Sequence, residues 1–596
     1  CQDYAMLNGI ETSSEWSTFF QDGHADLFQG KGWLAGELTD IVMSEPWIFL
    51  VGLGPDALRV QLTEHVEDTE SHEARDLTRT LVAQLRRGYS EAGLASDELL
   101  MDTTLVAPVR DIATSVLSRM NALRELRTHI AVELVRPKTV SMPQPPATSR
   151  ALADLLATSP ALSRSLFVLD AAEGRLHADA SWSPLGDRIL LKGRRSRSDI
   201  ADRFLDTVAF GSMVAARGRV AVTRGMFGVG WLSVLSRGRA LSVTGLREPR
   251  HSYDLNLDLR SQLTAHVDSA FREPLRWLLP GSVVEGFEAG VNCANKYLKY
   301  GAPKMRVGLS LSNWNAIWLG LARERGTIAW GVQHGGAYGE MAQHSATDSE
   351  RIQSDVFVSA GWDLQDPTAA GLCPIQPLPS PRLSQLSAVH QPEDSIGPLV
   401  LMFQIVGFDL ASMGPESVGL TRLARRHEQL LSYLRPETLD NTVLRMRAPR
   451  FAHESALFES LVGDLGRRLP RSSGPVDQML DEAGFVVIPR LFSTTFLECL
   501  ATDTPVMILD ESFPHNVKRE FLPLYEQLRA AGILTTEPRV AAQIISSIYP
   551  DGVQEWWLQH RELVASVADF LARTSSSVRE TWLEEVLGAN PQPVAS

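Results

Sequence analysis

The 596-residue sequence contains only four cysteines, Cys1, Cys293, Cys373 and Cys499, which stand far apart and form no C-x-x-C pair. That spacing indicates neither a zinc site nor a disulfide framework, so a reducing compartment, the cytoplasm, is the expected location. No stretch approaches the ~18 consecutive apolar residues of a membrane span. No basic-then-apolar segment opens the sequence, which starts at Cys1. The balance of 57 Lys and Arg against 71 Asp and Glu, a net charge of -14, leaves no basic surplus for nucleic acid or an anionic membrane as main partner. Local phosphate binding and a peripheral membrane contact stay open. No G-x-G-x-x-G follows a strand-like run and no Walker loop is present, which removes the dinucleotide dehydrogenase and P-loop classes.

What is present is an ordinary globular composition, 44% hydrophobic and 21% charged, in a chain long enough for roughly two to four domains. Apolar runs rich in β-branched residues alternate with helical periodicity. Strands are expected at Trp47–Gly54, Leu166–Asp170, Arg188–Gly193, Arg219–Gly225, Met305–Ser310, Thr327–Val332 and Asp355–Trp362, and two long helices within residues 72–134. Four prolines between Pro374 and Pro381 make a poor helix or strand and a good linker. The rhythm then restarts with strands at Leu399–Val406, Thr442–Arg447, Gly484–Pro489 and Pro505–Asp510, helices around 420–434 and 455–469, and amphipathic helices from Val540 to Val586. The expected fold class is α/β, with two Rossmann-like doubly wound domains facing across a cleft and C-terminal helices. The boundaries are 1–375 for the first domain, 376–396 for the linker and 397–596 for the second domain with its tail.

Chemistry-bearing residues cluster where these strands end. The run T-I-A-W-G-V stops at Gln333-His334-Gly335-Gly336, and the carboxyl end of a parallel strand is where α/β proteins bind ligands. Two glycines permit positive φ and close approach of a ligand, while the amide and imidazole can each donate and accept. A glycine turn around a hydrogen-bonded core histidine is the competing reading. In the second half, Ser493, Thr494 and Thr495 stand between a strand and a helix bearing Glu498. Hydroxyls beside a helix N-terminus make a phosphate cradle, although Thr495-x-x-Glu498 is equally a capping box. Arg445, Arg447 and Arg450 leave the Thr442 strand and suit phosphate or carboxylate, with a solvated basic edge as the alternative for Arg450. Lys518 and Arg519 could reach the same cleft.

Q-H-G-G-A-Y-G (Gln333–Gly339) is followed by Glu350, Ser354-Asp355 and Gly361-Trp362, then by S-T-T-F-L-E-C-L-A from Ser493, K-R-E-F-L-P-L-Y-E-Q-L-R-A-A-G-I-L from Lys518, and Trp556-Trp557. In order and spacing these resemble a family of bacterial transferases from surface-polysaccharide gene clusters, over most of residues 280–575. More distantly the layout resembles GT-B glycosyltransferases, including capsule-type enzymes that use CMP-activated acidic sugars such as Kdo or nonulosonic acids. Residues before about Pro280 depart from the family, as does A-P-R-F-A-H-E after the arginine strand.

The resemblance implies acceptor and catalytic groups in the first domain and the donor nucleotide in the second. The expected catalytic residues are His334, Gln333 and Glu350. Gly335, Gly336, Tyr338, Arg445, Arg447, Ser493, Thr494, Thr495 and Glu498 are expected to bind substrate or nucleotide. No two aspartates stand in D-x-D spacing, so the expected reaction is metal-independent, with no cofactor beyond a nucleotide-sugar donor, a CMP-sugar favoured. The acceptor would be a glycan, a lipid-linked or a small molecule. A nucleotide-sugar epimerase or hydrolase would need an extra carboxylate at the cleft, for which Glu340, Glu350 and Asp363 are available; a non-catalytic sugar-nucleotide binder is the third class.

Overall fold

The computed structural model describes residues 68–129, 253–308, 313–341, 345–363, 372–390, 397–403, 420–446, 464–510 and 513–588, apart from positions 96, 473, 515 and 516, together with isolated strands between residues 48 and 243. Two long helices, α1 (Asp68–Glu91) and α2 (Glu98–His129), come first. Strands β1 (Val220–Thr223), β2 (Ala240–Val243), β3 (Met305–Gly308), β4 (Ile328–Val332), β5 (Val356–Ser359) and β6 (Ile375–Pro377) form a parallel sheet in the order β6-β5-β4-β3-β1-β2. Helix α3 (Trp314–Glu324) links β3 to β4, and α4 (Ser345–Ile352) links β4 to β5.

After α5 (Pro381–Val389), strands β7 (Leu399–Phe403), β8 (Thr442–Met446), β9 (Arg471–Ser472), β10 (Phe485–Ile488), β11 (Val506–Leu509) and β12 (Leu534–Thr535) form a second parallel sheet, ordered β9-β8-β7-β10-β11-β12. Helices α6 (Leu420–Tyr433), α7 (Thr494–Thr502) and α8 (Leu522–Ala530) connect its strands, and α9 (Val578–Gly588) closes the described chain. The second order is the Rossmann sequence of strands, whose direction of winding reverses between β7 and β10. Two doubly wound parallel sheets in one chain make a GT-B-like α/β architecture. Among the described residues no helix is long and apolar enough to cross a membrane.

Both sheets are apolar on both faces, which is why their strands read as unbroken hydrophobic runs. Val220, Val222, Val307, Trp330 and Val332 cluster with Val578, Trp582 and Val586 of α9, while Ala221 and Ala329 join the opposite layer with Leu105, Val109 and Ile317. In the second sheet, Leu399, Leu401, Phe485 and Val487 pack with Leu430 and Leu431 of α6. Their neighbours Val400, Val486 and Ile488 share a core with Leu497 and Leu528, and also with Tyr338, Phe357 and Trp362 of the first sheet. The two halves are therefore continuous in their packing.

Several expectations are corrected. The strands at Leu169–Asp170 and Arg188–Ile189 pair antiparallel, with Arg175–Leu176 and Tyr253–Asp254, and stand outside the parallel sheet. Between Asp170 and Arg175 the four intervening residues permit a hairpin but not the crossover that a parallel pair requires. The Trp47 run contributes Ile48–Val51, again antiparallel, to Ala131–Leu134. The expected linker contains β6 and α5: Pro377 is tolerated on an edge strand, and Pro381 opens α5 where no amide hydrogen is needed, with Ser380 Oγ accepting from the Leu383 N–H at 3.3 Å. The tail also departs from its assigned domain, since α9 returns to cover the first sheet. Of the helix expected at 455–469, only Asp464–Arg468 falls within the described residues. The opening 44 residues lie outside them.

The halves are joined beyond this shared core. Met341 bridges to Val517, and the Lys518 N–H donates to the Glu340 carbonyl at 2.8 Å. Tyr525 Oη donates to the buried Glu340 carboxyl, which burial pushes up to about 7, with the Tyr525 hydrogen bond opposing. The Trp582 indole donates to the Pro379 carbonyl at 2.8 Å.

Because the Glu340 pKa is raised by folding, its stabilising contribution is full below the unfolded value and is lost as pH rises through about 7. Glu340→Gln keeps an acceptor for Tyr525 without a charge. It is expected to flatten the fall in melting temperature between acid and alkaline pH, a difference on the order of 3 kcal/mol in the native protein; an unchanged pH dependence contradicts this. Trp582→Ala is expected to cost about 3–5 kcal/mol in urea unfolding.

Candidate active site between the two sheets

Strand β4 is buried between β3 and β5, and its last residues deliver Gln333 and His334 to the carboxyl edge of the sheet. The Gln333 amide makes three local hydrogen bonds. Its Oε1 accepts from the Ala360 N–H at 2.9 Å and from Trp362 Nε1 at 2.8 Å, and its Nε2 donates to the Gly335 carbonyl at 2.8 Å. Gln333 thus acts as a clamp holding the β4 and β5 loops together, with one Nε2 hydrogen beyond those used in these bonds.

The His334 side chain is 47% exposed. Its Nδ1 lies 2.8 Å and its Nε2 3.2 Å from Tyr338 Oη, and that hydroxyl donates to Glu350 Oε1 at 3.0 Å. Burial lowers the His334 pKa, with the Val332 carbonyl opposing, so the ring is neutral at pH 7. Tyr338 is sealed beneath it, stacked on Phe357 with centroids 5.8 Å apart. Burial, then the Glu350 charge, hold its pKa well above the ordinary phenol value. Tyr338 therefore supports His334 and is not exposed to a nucleotide, contrary to expectation. Glu350, on α4, is 2% exposed. The Arg306 guanidinium, itself buried, is lowered to about 10 by burial and partly restored by Glu350.

The two glycines serve a different end from the one expected. Neither Gly335 nor Gly336 has positive φ; Ala337 (74°) and Gly339 (77°) do. A Cβ on Gly336 would lie 2.5 Å from the Phe492 carbonyl oxygen, and one on Gly335 2.9 Å from Thr494 Oγ1. The close approach is to the other half of the protein, and the Gly336 N–H donates to Thr494 Oγ1 at 3.1 Å.

Across that contact, β10 ends beside the point where the strand order reverses, and α7 begins. Ser493 caps α7, its Oγ accepting from the Thr495 N–H at 3.2 Å. Ser493 and Thr494 hydroxyls accept in these two bonds, and each keeps a hydrogen to donate. The expected Thr495–Glu498 capping box does not form, because the helix starts two residues earlier at its cap Ser493; Glu498 instead meets Arg382 of α5, whose Nη2 lies 2.7 Å from its Oε1. Burial raises the Glu498 carboxyl, with Arg382 and Arg445 opposing. Arg445, on β8, donates to the Gly474 carbonyl at 2.6 Å and reaches Ser472 Oγ at 3.5 Å; burial lowers its pKa, and Glu498 opposes this. Arg447 and Arg450 lie outside the described residues.

Other candidates are placed elsewhere. Glu340 is buried and bonded to Tyr525, Asp363 is exposed, and Lys518 lies close enough to Asp348 to help hold it. Burial alone would raise the Asp348 carboxyl, but Arg110 at 3.0 Å and Arg75 at 3.3 Å outweigh it. Sequence reasoning missed Arg382, Arg306 and Tyr525. A charge within the apolar strand M-R-V-G was a signal for Arg306, whereas nothing local distinguished Arg382.

No curated protein matches the chain. Among solved structures, the S. aureus MnaA-UDP co-structure is 12% identical with a TM-score of 0.37, the match covering 63% of this chain and 99% of that one. The UDP-GlcNAc 2-epimerase from Neisseria meningitidis bound to UDP-GlcNAc is 9% identical, with a TM-score of 0.30 and coverage of 65% and 97%. Trehalose-6-phosphate synthase OtsA is 11% identical, with a TM-score of 0.33 and coverage of 67% and 96%. Likeness at this level says nothing of activity. The sequence model of the LIC12162 family transferase matches residues 232–586, more than half of the chain, and the protein belongs to that family.

Proposed function

We propose that this transferase is a metal-independent glycosyltransferase that moves a sugar from a nucleotide donor, a CMP-activated acidic sugar being favoured, to a surface glycan or another hydroxyl-bearing acceptor. The observation that carries this reading is the contact between the two carboxyl-end loops, Gly336 N–H to Thr494 Oγ1 at 3.1 Å. It brings a half-exposed neutral imidazole on one sheet close to a hydroxyl-lined helix start on the other.

Sugar transfer requires those two functions together. An acceptor hydroxyl must lose its proton as its oxygen bonds to the anomeric carbon, and the bond from that carbon to the donor phosphate must break with the electron pair leaving on phosphate. His334 would take the proton. Ser493 and Thr494, aided by the positive end of α7, would donate to the departing phosphate. Arg445 and Glu498 lie further into the second domain, where Glu498 would receive the ribose hydroxyls. The epimerase or hydrolase alternative has less support, since Glu340 is committed to Tyr525 and Glu350 to Tyr338, which leaves it the exposed Asp363.

A thermal-shift screen against CMP, UDP, GDP and TDP is expected to single out one nucleotide, with about 2.7 kcal/mol of stabilisation at 100 times its dissociation constant. Ser493→Ala combined with Thr494→Ala is expected to weaken that nucleotide with the fold intact; unchanged affinity would remove the phosphate role. His334→Ala is expected to lower turnover by roughly 10²–10⁴-fold while nucleotide affinity is retained. Near-normal turnover would return His334 to a structural histidine.

A further inference from the structure

Arg382 stands where a helix gives a cation no help. It is the second residue of α5, after the cap Ser380 and Pro381, and the amino end of a helix repels positive charge. Its side chain is 58% exposed, whereas that of its partner Glu498 is 4% exposed. The guanidinium reaches a single carboxylate oxygen with two nitrogens, Nη2 at 2.7 Å and Nε at 3.3 Å from Oε1. An oxygen of this kind has two lone pairs, so these bonds occupy Oε1. Among the described residues no hydrogen bond goes to Oε2. Burial favours the protonated form of Glu498, and Asp477 of the helix Val476–Glu482 adds to that, while Arg382 and more weakly Arg445 oppose it. Arg445 is itself bonded to the Gly474 carbonyl, which leaves Arg382 as the one cation bonded directly to the carboxylate among the described residues.

We infer that Arg382 is a positioning residue that holds the Glu498 carboxylate by Oε1 and presents Oε2 to the two ribose hydroxyls, so that the donor site selects ribonucleotides over 2′-deoxyribonucleotides. This rests on the function proposed above, which puts a nucleotide against Ser493, Thr494 and Glu498. The two lone pairs of Oε2 match two neighbouring hydroxyls, each donating one hydrogen. A deoxyribose supplies one of the two and leaves a buried, charged acceptor short of a partner, which is the costly case. A protonated Glu498 would instead carry a hydrogen on one oxygen and lose an acceptor position. A plain fastening of α5 to α7 is the other use of such an ion pair, and it predicts a change in stability with no change in the choice of sugar.

The test is calorimetric titration of the full chain with CMP, UDP and GDP, each beside its 2′-deoxy counterpart. The ribonucleotide that binds is expected to be held roughly 10–10²-fold more tightly than its deoxy form, the worth of one hydrogen bond to a charged group. Arg382→Gln is expected to bring that ratio towards unity by weakening the ribonucleotide, and Arg382→Lys, which keeps the charge without the two-nitrogen grip, to recover part of it. Because Arg382→Gln leaves a buried carboxylate without its main partner, Arg382→Gln combined with Glu498→Gln serves as a second variant in which neither charge remains. It is expected to melt closer to the parent than Arg382→Gln alone and still to lack the preference. A parent chain that binds ribo and deoxy forms alike, or Arg382 variants that lose stability with the ratio unchanged, overturns the inference and leaves the transferase reading standing. Failure of all three ribonucleotides to bind overturns it as well. A ribose preference that depends on Arg382 in a chain without transfer activity keeps the inference and removes the transferase reading.

Discussion

A side chain at position 336 would occupy the space of the Phe492 carbonyl, and the arrangement of the site depends on that steric limit. With a Cβ only 2.5 Å from the carbonyl oxygen, any other residue would force the two carboxyl-end loops apart. Glycine lets backbone meet backbone, and the bond from its N–H to Thr494 fixes their registration. The positive φ values of Ala337 (74°) and Phe492 (61°) fall in these same loops. Such conformations carry a conformational cost for residues with a Cβ, and surrounding contacts must maintain them. His334 owes its position to this meeting as much as to the strand that precedes it.

Polar groups beneath the site are divided between holding and reacting. Gln333 uses both ends of its amide to tie the β4 and β5 loops together, which anchors the backbone from which His334 projects. Glu350 and Tyr338 act from below the ring, and Arg382 and Arg445 attend Glu498 in the other half. In the second half, the Ser493 and Thr494 hydroxyls accept within the protein, and their hydrogens are the groups with which an anion could be met.

Much of this architecture was legible in the sequence. Runs such as F-V-V-I and V-M-I-L are buried on both faces, so their composition announces interior strands, and the abrupt end of T-I-A-W-G-V marked the place of His334. Partners were less legible, because periodicity reports that a side chain is buried without reporting against what. Glu498 suggested a local cap at Thr495 and instead meets Arg382, 116 positions away. The glycine pair suggested room for a ligand and instead admits Phe492. The prolines at 377 and 381 were read for what proline prevents, whereas an edge strand and a first helical turn are two places that accommodate it.

The return of α9 to the first sheet means that the chain passes between the halves twice, once through α5 and again between Leu571 and Val578. These passages are fastened to each other: the Ser380 N–H donates to the Arg573 carbonyl at 2.8 Å and the Ser575 N–H to Ser384 Oγ at 3.0 Å. Two separate tethers would limit the halves to turning about the line between them. Two tethers clasped side by side behave mechanically as one double-stranded joint. Swing about that joint is resisted by the bonds Gly336 makes to Thr494 and Glu340 to Tyr525 and Lys518, so the same contacts that assemble the site are also its latch.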